Sequence, residues 1–148
     1  MTLTEGIAAI RDKFQGRLSD GVAFARYDPT ADASRNTKIY RITDVLVESN
    51  EVLLLIDPKP TSQVAGSTHM TVSDLLARLT ALPPDHAEYA LEACEPEIHI
   101  EEEDTRIRFD YPILTTGRAD DLHLCLLAYI EQKRHDRPKP WWKFWQRT

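Results

Sequence analysis

The chain has 148 residues, 42% of them apolar and 28% charged, with two cysteines and a net charge of −6. A single domain of this length buries about 70% of the surface of its unfolded chain, so a core can form without disulfides or structural metal, and the composition excludes fibrous, disordered and coiled-coil classes. The longest apolar run, Leu124 to Ile130, has seven residues, against about 20 for a membrane span. The opening stretch MTLTEGIAAIRDKF has neither a basic nor a continuous apolar region of the secretory kind, which sets the expectation of a cytoplasmic protein.

In chain order, Leu3, Ile7, Ile10, Phe14 and Leu18 recur at helical spacing. Thr2 with Glu5 fits a capping box and Asp20-Gly21 supplies a stop, so a first helix is predicted. Val22 to Tyr27 reads as a short strand, followed by a polar loop over 28–37. In that loop Asp28, Thr30, Asp32, Ser34 and Asn36 alternate like calcium ligands, but Ala33 stands where the turn needs glycine and Ile39 where a glutamate should close the site. No metal is expected there.

Lys38 to Glu48 and Glu51 to Ile56 flank Ser49-Asn50 and predict a hairpin; their poor alternation predicts cover on more than one side. Residues 57–70 read as a flexible connection. Thr71 and Asp74 then cap a helix carrying Val72, Leu75, Leu76, Leu79 and Leu82 up to Pro83-Pro84. After a strand near 88–93, a second hairpin is predicted with Ile100 opposite Ile107, Ile98 opposite Phe109 and Glu101 opposite Arg106, the four apolar residues buried. Asp120 and Asp121 at one end and Lys133 and Arg134 at the other match the dipole of a last helix around Leu122 to Ile130.

The expected fold is therefore α+β: one domain of order α-β-β-β-α-β-β-β-α, its two halves similar in elements but without a sequence repeat, with a largely antiparallel sheet packed by helices. Residues 1–135 form the acidic domain and 136–148 a basic, Trp-rich tail. On an acidic domain this order resembles that of the dimeric chaperones of bacterial type III secretion. The likeness is one of architecture alone, and it implies protein binding and a homodimer.

The charge is unevenly placed. Residues 1–132 hold 12 Lys and Arg against 23 Asp and Glu, while residues 133–148 hold six against one. An acidic body argues against nucleic acid, whose phosphates need clustered cations, and favours a basic protein partner. From Asp85 to Asp104 there are nine acids and no Lys or Arg.

Catalytic signatures are missing. The glycines are isolated, so no phosphate-cradling loop or cofactor is expected. Cys94, His99, His123 and Cys125 are the residue types zinc takes, but no CxxC pair anchors them, and His123 and Cys125 would point to different faces of a helix. They read as buried thiols and surface imidazoles. The run Glu101, Glu102, Glu103, Asp104 reads as a solvated hairpin tip, since paired-carboxylate chemistry needs acids from separate elements.

All three tryptophans lie in KPWWKFWQRT. Trp141, Trp142, Phe144 and Trp145, interleaved with Lys143 and Arg147, suit pockets on a partner protein, an anionic membrane surface, or the protein's own body. The resulting expectation is a non-enzymatic, acidic protein-binding domain: a chaperone, adaptor or immunity-type inhibitor of a cationic partner. Its predicted binding residues are Glu101 to Asp104 and the four tail aromatics. The alternatives are a peripheral membrane protein held by the tail, and an enzyme whose site the sequence does not expose.

Overall fold

Two threonines start the two helices in the same way. In the computed structural model, which describes residues 1–27, 37–60, 70–119 and 124–130, α1 spans Leu3–Lys13 and α2 spans Val72–Thr80. Thr2 Oγ1 accepts from Glu5 N at 3.2 Å and Thr71 Oγ1 from Asp74 N at 3.1 Å. Asp74 returns the bond to Thr71 N, completing a capping box. Leu3 and Ile10 of α1, and Val72, Leu75 and Leu79 of α2, are buried in one core.

The strands are β1 (Gly21–Tyr27), β2 (Thr37–Glu48), β3 (Glu51–Ile56), β4 (Ala90–Cys94), β5 (Ile98–Ile100), β6 (Thr105–Ile107), β7 (Asp110–Pro112), β8 (Thr115–Ala119) and β9 (Leu124–Ile130). As expected, β2 and β3 turn at Ser49-Asn50, whose φ values of 46° and 66° are those of a two-residue turn matched to strand twist. Val52, Leu53 and Leu54 are all buried, so β3 is covered on both faces.

Seven strands form one sheet in the order β7-β4-β3-β2-β1-β9-β8. Its edges, β7 and β8, are separated in the chain only by Ile113 and Leu114. Ile113 N donates to Leu91 O of β4 at 3.1 Å and Leu114 N to Ala128 O of β9 at 3.0 Å. The sheet therefore curls until one interrupted strand, β7–β8, closes it into a barrel.

That barrel is a pseudo-dimer. Each half runs helix, strand, strand, strand: α1-β1-β2-β3, then α2-β4-(β7–β8)-β9. The halves join twice, and both joins are parallel pairings, β3 with β4 and β9 with β1. Thr2 bridges Ala90 while Thr71 bridges Gly21. The surrounding bonds correspond one for one: Leu3 N to Tyr89 O and Leu91 N to Met1 O in one place, Val72 N to Asp20 O and Val22 N to Met70 O in the other. Every pair is related by the same offset of 69 residues.

Four expectations are corrected. The sheet is mixed rather than largely antiparallel, because the joins between halves are parallel. A repeat does exist in the sequence: MTLTE at residue 1 recurs as MTVSD at residue 70. The apolar run near the end is β9, not a helix; Leu124, Cys125 and Leu127 are buried among neighbours on both sides, and a uniformly apolar run carries no helical period. Among the described residues the order ends in β9, a strand where the likeness to secretion chaperones drew on a closing helix.

The second hairpin, β5–β6, pairs Ile98 with Ile107 and Ile100 with Thr105, a slip of two residues that leaves Phe109 outside it. Ile98 and Phe109 are 50% and 51% exposed, not buried. The slip follows from the tight turn over Glu101 to Asp104, closed by Asp104 at φ 47°. Among the described residues, no helix is long and apolar enough to cross a membrane.

Candidate functional site: an acidic groove on the outer face of the sheet

Strand alternation gives the sheet a second face. Val52, Leu54 and Ala93 point into the core, so their neighbours Glu51, Leu53, Leu55, Glu92 and Cys94 point outward. Across the same face, Leu46 lies opposite Leu53 and Glu48 opposite Glu51, while Asp110 lies beside Cys94. The segment from Glu95 through Arg108 projects from this face. Between it and the strands runs a groove of about 410 Å³, with Leu46, Leu55, Cys94 and Pro96 among its lining.

The groove carries four carboxylates, Glu48, Glu95, Glu97 and Asp110, and two guanidiniums, Arg106 and Arg108. Arg108 is committed within it. Its Nε and Nη2 donate to the two oxygens of Asp110 at 2.8 and 3.0 Å, and Nη1 donates to Glu48. These bonds raise the Arg108 pKa further above its already high range, so it stays a fixed cation.

Beside this pair, Glu51, Glu92 and Asp110 place carboxylate oxygens within 4.8 Å of one another. Such a trio has the donor set of a hard cation such as calcium. Its charge is already reduced from within. Burial raises the Glu92 pKa, and the neighbouring Glu51 and Asp110 carboxylates push it the same way. Arg108 meanwhile offsets Asp110.

The thiols do not supply a nucleophile. Burial pushes Cys94 up to about 11 and Cys125 up to about 12, so both are protonated near neutrality. They are also apart, Cys94 on the outer face and Cys125 in the core cluster.

Glu101, Glu102, Glu103 and Asp104 form the exposed turn of the β5–β6 hairpin. Asp104 pairs with the His99 ring at 3.0 Å, and the other three carboxylates are displayed to solvent. Trp141, Trp142, Phe144 and Trp145 lie outside the described residues, as do the loop 28–36 and His123. Sequence reasoning missed Glu48, Glu51, Glu92, Arg108 and Asp110. The available signal was Glu92, an acid in the middle of the otherwise apolar strand ALEAC, where a charge is rarely kept without a partner.

A second depression lies between the helices, an apolar cleft of about 360 Å³ bordered by Leu3, Ile7, Leu79, Leu82, Pro83 and Pro84. Its lining offers little to orient a polar ligand. Comparisons with protein-family models, curated proteins and solved structures give no significant match.

Proposed function

We propose that the domain acts by binding another protein, and that its acidic groove and hairpin turn take up a basic segment of that partner. A chaperone, an adaptor or an inhibitor of a cationic protein all work in this way. One observation carries the reading: apolar side chains stay exposed beside a groove whose acids outnumber its cations. Leu46, which lines the groove, is 39% exposed, and Ile98 and Phe109, each next in the chain to a lining residue, are about half exposed. Apolar side chains rimmed by an excess of acids suit a basic partner, with the acids steering encounter and the apolar contacts supplying affinity. A binding role is further supported by the groove's chemistry, since its thiol is protonated and one of its two cations, Arg108, is tied to two carboxylates.

The test is affinity capture from the native host with the wild-type chain and with Glu102→Lys/Glu103→Lys, followed by association kinetics of the captured protein. Those side chains are exposed, so reversing them leaves the fold intact. A partner that is basic at its contact, is lost on reversal and associates more slowly as salt rises supports the reading. A partner captured equally by both chains and indifferent to salt overturns it.

A further inference from the structure

The groove has a candidate occupant within the same polypeptide. We propose that residues 139–148, KPWWKFWQRT, dock in cis into the groove between the outer sheet face and the segment 95–108, so that the chain's own tail occupies the surface offered to a basic partner. This deepens the reading above and rests on it.

Charge complementarity is the first argument. Residues 133–148 carry six cations and one acid, against a groove lining of four carboxylates and two guanidiniums and, beyond it, the three displayed carboxylates of the hairpin turn. The second argument is shape and polarity. Leu46, Leu55 and Pro96 give the groove an apolar floor flanked by acids, which suits flat aromatic side chains alternating with cations.

Reach is the third argument. Tyr129 of β9 stands 6.0 Å, ring to ring, from Tyr111 of β7, the residue next to Asp110, which lines the groove. From Ile130 to Trp141 the chain can extend about 35 Å, ample for a site one strand away. An intramolecular segment also binds at an effective concentration in the millimolar range, so even weak contacts suffice.

The consequence is competition. A basic partner must displace the tail, which would keep the exposed apolar residues covered until the partner arrives.

Because every tryptophan lies in this segment, intrinsic fluorescence of the intact protein reports its surroundings. Three samples are compared: wild type, Leu46→Arg/Glu97→Lys, and the free peptide KPWWKFWQRT. Both substituted residues are exposed, and circular dichroism checks that the double variant folds. The proposal expects wild-type emission to be blue of the peptide's and several-fold less quenched by acrylamide. It also expects a move toward the peptide's values in the double variant and, independently, in wild type at high salt.

Wild-type emission and quenching equal to the peptide's overturns the proposal. Protection that ignores both the substitutions and salt also overturns it, since the tail then covers some other surface. A solvated tail that turns blue only with anionic vesicles overturns it in favour of a membrane contact. No second protein enters the measurement, so a solvated tail leaves the partner-binding reading standing, whereas capture that survives reversal of Glu102 and Glu103 overturns that reading alone.

Discussion

Arg108 grips Asp110 through two parallel bonds and Glu48 through a third, tying β2 to β7 across the outer face of β3 and β4. The guanidinium is partly exposed, so water screens much of the interaction. Arg108→Ala is expected to cost about 1 kcal/mol, and Arg108→Lys to recover little of it, since an ammonium cannot reproduce the two-pronged geometry. Urea denaturation of the three proteins checks this. Equal midpoints for wild type and Arg108→Ala would show that the pair contributes nothing.

Glu92 makes stability depend on pH with an uncommon sign. Its pKa is raised in the folded state above the ordinary 4.5, so the folded protein holds a proton that the unfolded chain releases. The associated stabilisation is complete below the unfolded pKa and is lost as pH rises through the folded one. Glu92→Gln, which keeps the shape without the charge, is expected to flatten that loss and to match or exceed wild type near neutrality. Denaturation midpoints followed from acid to neutral pH decide it; a wild-type and a Gln variant that run parallel would count against a raised Glu92 pKa.

Both cysteines are expected to resist a thiol reagent in native protein at neutral pH and to react at once in denaturant. Their burial and raised pKa values of about 11 and 12 leave almost no thiolate. Labelling should therefore track unfolding. A fast-reacting equivalent in the native state would place one thiol at the surface.

The two caps should behave as equivalents. Thr2→Ala and Thr71→Ala are each expected to cost about 1 kcal/mol, with the larger loss at Thr71 because Asp74 completes its box. Thermal unfolding measures both. A neutral Thr2→Ala beside a costly Thr71→Ala would break the equivalence of the halves.

Phe109→Ala should separate folding from binding. At 51% exposure the ring has little packing to lose, so stability is expected to change by less than about 1 kcal/mol, whereas Phe14→Ala, at 0% exposure, should cost about 3–5 kcal/mol. Partner affinity should fall with Phe109→Ala. A large stability loss there would show that the ring belongs to the core.

Much of the fold was legible where local chemistry is specific. Thr71 with Asp74 announced α2, and Ser49-Asn50 announced the β2–β3 turn. Legibility failed where two structures share one pattern. LCLLAYI is apolar at every position, so charges placed around it for a helix dipole fit equally well around a strand buried on both faces. The hairpin slip arose because Phe109 offered an apolar partner for Ile98 one pair too far; the four-residue turn, not hydrophobic pairing, sets the register. The repeat was visible in MTLTE and MTVSD, but five residues with three conservative changes stand out only once the offset is known. The groove was least legible, because Glu48, Glu92 and Arg108 come from distant segments that meet only when β3 lies beside β4.

That architecture bears on how the chain is made. β1 finds one neighbour soon after it is synthesised, but its other is β9, about 100 residues later, which at about 5–20 residues per second is a delay of about 5–20 s. Throughout that interval the first half presents β1 as an open edge, and β3 as a second one until β4 is made, on an apolar strand meander, the feature most prone to pairing with another nascent chain. Crowded polysomes should therefore be where this protein is most at risk of aggregating, and slowing translation anywhere between Ile56 and Leu124 should lower its soluble yield more than the same delay placed before β1.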